Sequence, residues 1–193
     1  MKKLKEVITE KEFKRLNAFV RADEKLRAAT KENLLKTFTL LFYSGCRITE
    51  LLKFTNKNII DIIETSETIV EIEKQHQERK LYFTDNGVKA IKKLFSEFDI
   101  LKEELNDKVI RSKGLKYKSP HKSTYTKSVN NIIHACLGSR YSTHQFRSGL
   151  ITQLAENQVN TALIRDFIGH KNSATTLLYV KSSENSIRNA LVR

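Results

Sequence analysis

The chain has 193 residues, 39% hydrophobic and 30% charged, with a formal net charge of +13. That suits one soluble globular domain spanning 1–193 with a core of its own. No apolar run approaches the roughly 20 residues a transmembrane helix needs, so no membrane-spanning helix is expected. MKKLKEVITEKEF opens basic but has no apolar segment behind it, so no secretory signal is read and a cytoplasmic protein is expected. Cys46 and Cys136 form no CxxC and the five histidines have no ligand spacing, so neither a disulfide nor a metal site is expected.

In chain order, Thr9-Glu10-Lys11-Glu12 reads as a capping box opening a helix to about Arg21, with Leu16, Phe19 and Val20 as its apolar stripe. A strongly apolar helix is expected from about Lys31 to Tyr43, stopped by Gly45. Arg47 then precedes a short helix over Thr49 to Phe54. Asn58–Ile63, Thr68–Glu73 and Arg79–Phe83, rich in Ile, Val, Tyr and Phe, read as three strands, the last two joined by a polar hairpin connection, Lys74 to Glu78. Thr84 or Asp85 caps a helix through Phe95, and Glu97 to Asp107 reads as helix or loop. The stretch up to Pro120 reads as irregular. Helices follow from about Thr124 to Leu137 and from Thr143 to about Glu156. Asn160 caps Thr161–Ile168, closed by Gly169, and two further helices carry Thr175 to Val180 and Ser183 to Leu191. The expected fold class is mainly α with a small three-stranded antiparallel β-sheet (α+β).

The charge is unevenly spread. Residues 1–107 carry 21 Lys and Arg against 19 Asp and Glu, and residues 148–193 carry five against three. Residues 108–147 carry nine basic residues and no acidic one: Lys108, Arg111, Lys113, Lys116, Lys118, Lys122, Lys127, Arg140 and Arg147. Such a concentration is the footprint expected for a polyanionic partner. Tyr117, Tyr125, Tyr141, Ser119, Ser123 and Thr124 are interleaved with these cations, and hydroxyls with lysines suit phosphate contacts. The stretch is not amphipathic and carries no acylation motif, so a membrane surface is disfavoured. Lys113, Lys116, Lys118, Lys122, Lys127 and Arg140 are the candidate DNA contacts, and the helix from about Thr124 is expected to approach a groove.

The basic stretch leads into the run THQFRSGLITQLAENQVNTALIRDFIGHKNSATTLLYVK, Thr143 to Lys181. His144 and Arg147 are three residues apart, and on a helix they share a face. His170 follows Arg147 by 23 residues and Tyr179 follows His170 by nine. A cation, two imidazoles and a phenol suit attack on a phosphodiester: the cation holds the phosphate, the imidazoles move protons, and the phenol is the nucleophile.

Three boxes extend this constellation: SGCRITELLKF, Ser44 to Phe54; THQFRSGLITQLAENQVNTALIRDFIGH, Thr143 to His170; and KNSATTLLYVK, Lys171 to Lys181. Together they resemble the catalytic domain of the tyrosine recombinases, the phage-type integrases and Xer-like enzymes, from about Glu6 to Lys181. The resemblance implies that Arg47 and Arg147 clamp the scissile phosphate and that Tyr179 attacks phosphorus to form a covalent 3′-phosphotyrosyl link. Lys74, on the hairpin, would protonate the departing 5′ oxygen. His144 would assist proton transfer from Tyr179, His170 would donate a hydrogen bond to the phosphate, and Glu50 would orient the site. No metal and no cofactor is implied, because the protein supplies the charge and the phosphotyrosyl bond keeps the energy.

The implied partners are double-stranded DNA and further copies of the chain, a tetramer on DNA and a monomer without it. Many family members carry His after the second arginine, where this chain has Ser148, and most carry an N-terminal core-binding domain for which residues 1–30 are too few. The tail Ser183–Arg193 is expected to pack on a neighbouring protomer. The expected activity is site-specific recombination, with integration or excision of a mobile element as the first reading. Xer-type dimer resolution, a type IB topoisomerase, a telomere resolvase and a non-catalytic DNA-binding module stay open.

Overall fold

The computed structural model describes residues 6–72, 77–98, 104–112 and 115–169. The chain divides into two compact units, Met1–Leu150 and Ile151–Arg193. The expected helices over 175–180 and 183–191 lie outside the described residues.

In the first unit, α1 (Glu10–Ala22) starts at the expected capping box: the Thr9 N–H donates to the Glu12 carboxylate at 3.1 Å. Leu16 and Val20 turn inward from it. The centre of the core is α2 (Ala28–Ser44), buried on all sides from Leu34 to Leu41. A helix this apolar is stable only when neighbours cover it all round, and α1 and the helices over Ile48–Leu51 and Asp85–Glu97 pack against it. Gly45 ends α2 at φ 59°, a left-handed geometry that favours glycine, with its N–H donating to the Leu41 carbonyl at 3.0 Å. The short α3 (Ile48–Leu51) follows at once, with Arg47 as its N-cap residue.

The segment Asn58–Ile63, expected as a strand, is instead part of α4 (Asn56–Thr65). Its isoleucines have strand composition but helical spacing: Asn56, Ile59 and Ile62 are buried, one turn apart. The Asn58 side chain also reaches back to accept from the Thr55 N–H at 2.9 Å, closing a capping box. Tertiary burial and the cap override β-propensity here. Among the described residues the sheet is therefore two-stranded, β1 (Glu67–Ile72) against β2 (Gln77–Tyr82), antiparallel with Thr68 opposite Leu81 and Val70 opposite Arg79. Alternation puts Thr68, Val70, Arg79 and Leu81 on the buried face and Ile69, Glu71, Lys80 and Tyr82 outside.

Thr84 caps α5 (Asp85–Glu97), accepting from the Gly87 N–H at 3.2 Å. Residues 104–112 and 115–119 lie outside the helices and are bound to their surroundings. The Val109 N–H donates to the Phe54 carbonyl at 3.1 Å, and Lys108 Nζ donates to the Lys53 carbonyl at 2.9 Å. The Ser119 hydroxyl donates to the Leu52 carbonyl. Asn33, on α2, reads the backbone of Arg111 in both directions, donating to its carbonyl at 2.9 Å and accepting from its N–H at 3.2 Å. The described part of the basic stretch is thus anchored to the residues just after α3 and to α2. Beyond it lies α6 (Lys122–Leu137), which packs against α1.

α7 (His144–Glu156) begins in the first unit. The second unit contains its C-terminal part and α8 (Thr161–Ile168). Asn160 caps α8 by accepting from the Ala162 N–H at 2.8 Å, and Gly169 closes it at φ 72°, both as expected. No helix among the described residues is long and apolar enough to cross a membrane.

Candidate active site

Two places in the sequence about a hundred residues apart meet at the end of α2. Because Gly45 turns the chain sharply, Arg47 becomes the first residue before α3, and the helical turn brings Glu50 back beneath it. Arg47 donates to Glu50 twice, from its backbone N–H and from its guanidinium, each at 2.8 Å. From the sheet, Arg79 donates to Oε2 of the same carboxylate, the oxygen that also takes the Arg47 N–H, at 2.8 Å. From α7, the Arg147 guanidinium donates to the Gly45 carbonyl at 3.0 Å.

The start of α7 is held from three directions. Phe146 stacks on Phe38 of α2 with ring centroids 5.8 Å apart, the Thr143 N–H donates to Asn130 of α6 at 2.9 Å, and the Ile8 N–H donates to the Gln145 carbonyl at 3.2 Å. Gly149 permits that last approach, because a Cβ there would sit 2.4 Å from the Ile8 carbonyl oxygen.

Exposure separates the arginines. Arg47 is 41% exposed, whereas the Arg79 side chain is 6% exposed, Glu50 is 1% exposed and Arg147 is 1% exposed. Burial alone would raise the Glu50 carboxyl, but the Arg79 charge and the hydrogen bonds from Arg47 and Arg79 outweigh it and hold the group below its ordinary value. Arg147 is pushed down to about 9, first by burial and then by the charges of Arg47 and Arg79, with Glu50 acting the other way. Burial, and then Glu50, raise the neighbouring Cys46 thiol to about 11, which keeps it an inert core residue. Among the described residues, two guanidiniums thus hold one carboxylate, and a third, that of Arg147, is fixed on the nearby Gly45 carbonyl. The imbalance is positive, and the group as a whole is suited to an anion with several oxygens.

The sequence-predicted residues divide as follows. Arg47, Glu50 and Arg147 come together. His144, the first residue of α7, is exposed one turn before Arg147. Lys74, His170 and Tyr179 lie outside the described residues. Of the candidate DNA contacts, Lys116, Lys118, Lys122 and Lys127 are exposed, Lys113 lies outside the described residues, and Arg140 is ion-paired with Glu6 at 3.1 Å. Tyr117, 71% exposed, stands between Lys116 and Lys118.

Arg79 was not among the expected site residues. Its signal was present: Arg79, Leu81 and Phe83 alternate with Lys80 and Tyr82, so one cation shares the apolar face of a strand and requires a buried partner. Among the described residues, no group of three or more His, Cys, Asp or Glu side chains is placed to hold a metal ion.

The family model described as the phage integrase family matches residues 6–186. The chain belongs to the phage integrase family. Among curated relatives, it is 29% identical over 168 residues to tyrosine recombinase XerC of Caldanaerobacter subterraneus subsp. tengcongensis, covering 83% of this chain and 44% of that protein. It is 24% identical over 164 residues to the prophage ps2 probable integrase of Lactococcus lactis subsp. lactis, covering 74% of this chain and 43% of that one. This phage integrase family chain therefore spans less than half the length of these two relatives.

Among solved structures, the XerA recombinase superposes with a TM-score of 0.70 at 20% identity, covering 98% of this chain and 64% of that one. The Tn1549 transposon integrase in complex with transposon right end DNA superposes with a TM-score of 0.71 at 16% identity, covering 98% and 66%. These likenesses bear out the mainly α fold with its small antiparallel sheet.

Proposed function

We propose that this chain is the catalytic part of a DNA strand-transferase that breaks and rejoins double-stranded DNA at specific sites through a covalent 3′-phosphotyrosyl intermediate. The observation that carries the reading is that Arg147 is fixed on the Gly45 carbonyl, two residues before Arg47, whose own guanidinium is held on Glu50, so that cations outnumber the carboxylate there. A phosphodiester gains charge as it is attacked, and preorganised forked donors lower that barrier most. In this reading Arg47 and Arg147 clamp the non-bridging oxygens and Glu50 fixes the approach of Arg47. Tyr179 is the nucleophile, His144 assists its deprotonation, His170 donates to the phosphate, and Lys74 protonates the leaving 5′ oxygen. The protein's own charges do the neutralising, so the chemistry needs no metal or cofactor.

The DNA partner is supported by the exposed lysines 116, 118, 122 and 127, and by the structural likeness to an integrase solved on its transposon end. The chain acts in this reading as a homo-oligomer, a tetramer on DNA, and resides in the cytoplasm, on the nucleoid when bound. The task is integration or excision of a mobile element, which the prophage and transposon integrase likenesses favour. The XerC likeness favours a second reading, resolution of chromosome or plasmid dimers.

The test is a library of nicked duplexes with randomised arms, from which covalent protein–DNA adducts are recovered under denaturing conditions. The wild-type chain forms adducts on a recoverable sequence and Tyr179→Phe forms none. DNA retention by the wild-type chain with no adduct from any library member makes it a non-catalytic binding module instead. Relaxation of plasmid lacking the recovered sequence would move it to the type IB topoisomerases.

A further inference from the structure

We propose that Arg79 is a positioning residue of the phosphate site: by engaging Glu50 from beneath, it leaves the positive charge of Arg47 available to a phosphate. The inference rests on the reading of Arg47 and Arg147 as a phosphate clamp, and adds a residue that reading does not use. Glu50 is one negative charge held by two guanidiniums. Its Oε2 takes Arg79 and the Arg47 N–H, and its Oε1 takes the Arg47 guanidinium.

The two arginines are not equivalent. Arg79 is enclosed on the inner face of β2, opposite Val70, and is fixed by the register of the hairpin. Arg47 is the partly exposed partner and the one with room to reach an incoming anion. Remove Arg79, and the single carboxylate neutralises Arg47. Retain it, and the Arg47–Glu50–Arg79 group keeps one net positive charge, carried on its exposed edge beside Arg147. A buried carboxylate with only one cation would otherwise lock that cation in place. Arg79 therefore acts on phosphate through Glu50, without touching it.

The experiment uses inorganic phosphate as the probe, titrated into the full chain, with the Nε–H signals of Arg47 and Arg147 followed by NMR. In the wild-type chain both signals move with phosphate. Arg79→Met weakens phosphate on the order of tenfold, the scale of one unit charge lost near a protein surface, while Arg79→Lys, which keeps the charge, stays within about threefold on the same scale. The decisive variant is Arg79→Met with Glu50→Gln. It removes both members of the buried pair, leaves no uncompensated charge, and binds phosphate at least about threefold more tightly than Arg79→Met, because no carboxylate remains to neutralise Arg47.

Should Arg79→Met alone fail to fold, the double variant still decides. A double variant that binds phosphate about tenfold more weakly than Glu50→Gln alone means that Arg79 acts on phosphate without Glu50, and the inference is overturned. Unchanged binding in Arg79→Met overturns it as well. If the wild-type arginine signals ignore phosphate, the clamp reading itself falls, and the inference falls with it; that outcome is seen before any Arg79 variant is made.

Discussion

Gly149→Ala probes how tightly the second arginine is positioned, and the structure sets its magnitude. The substitution adds one methyl group in α7, two residues after Arg147. On an open helix it would stabilise by about 1 kcal/mol, because alanine loses less backbone entropy than glycine. Here the new Cβ falls 2.4 Å from the Ile8 carbonyl oxygen and 3.3 Å from its carbon. That is about 1 Å short of ordinary contact. Its neighbour is backbone, with no rotamer to swing away, and Ile8 is itself a buried residue of the core.

Overpacking of this kind costs about 1–3 kcal/mol. Parting the two segments also breaks the bond from the Ile8 N–H to Gln145, for about 1 kcal/mol more. Set against the helix gain, the net expectation is a loss of roughly 1–3 kcal/mol. Urea unfolding followed by circular dichroism measures it, with an unchanged slope taken as the sign that only stability has moved. A midpoint equal to or above that of the wild-type chain would refute the reasoning, since it would mean that the segment before α1 yields freely and does not fix the start of α7.

Arg147→Lys keeps the charge but loses the forked donor held on Gly45; adduct formation on the recovered DNA sequence should fall about a hundredfold or more, with little change in the unfolding midpoint. Glu50 is held below its ordinary value of 4.5, so its stabilising contribution is present above that pH and is lost as pH falls through the lower folded value. Glu50→Gln should therefore flatten the acid side of the stability profile, read from urea midpoints across that range. Lys36 is fully buried beside Glu32, Phe95 and Phe98 and is pushed down to about 8 from 10.5, first by burial. A cation harder to keep charged when folded makes stability rise with pH between those two values, and Lys36→Met should remove that rise. Lys118→Ala, on the exposed loop, should lower the slope of log affinity for DNA against log salt by about 1 and weaken all DNA sequences alike.

Much of the framework was legible because it is encoded locally. The capping box at Thr9, the caps at Thr84 and Asn160, and the stops at Gly45 and Gly169 each depend on a side chain or a missing one within four residues, and the structure has them all. The proximity of Arg47, Glu50 and Arg147 was legible for another reason: the boxes that hold them carried a resemblance that implied it, and their roles on phosphate are the proposal built on that proximity. Asn58–Ile63 misled because isoleucine composition and isoleucine spacing pointed in different directions. The spacing, reinforced by the cap at Thr55, was the better guide, since burial depends on which face a residue occupies.

Arg79 shows the reverse case. In a lysine-rich chain one more cation on a hairpin reads as a solubilising residue, and its partner Glu50 lies 29 residues away, beyond the reach of any local rule. What distinguishes it is phase. Arg79 shares the inward phase of Leu81 and Phe83, whereas Lys80 takes the outward one. A charge in the buried phase of a strand is expensive unless a counter-charge meets it. The place where that counter-charge also touches Arg47 is therefore where the fold meets the chemistry proposed for it.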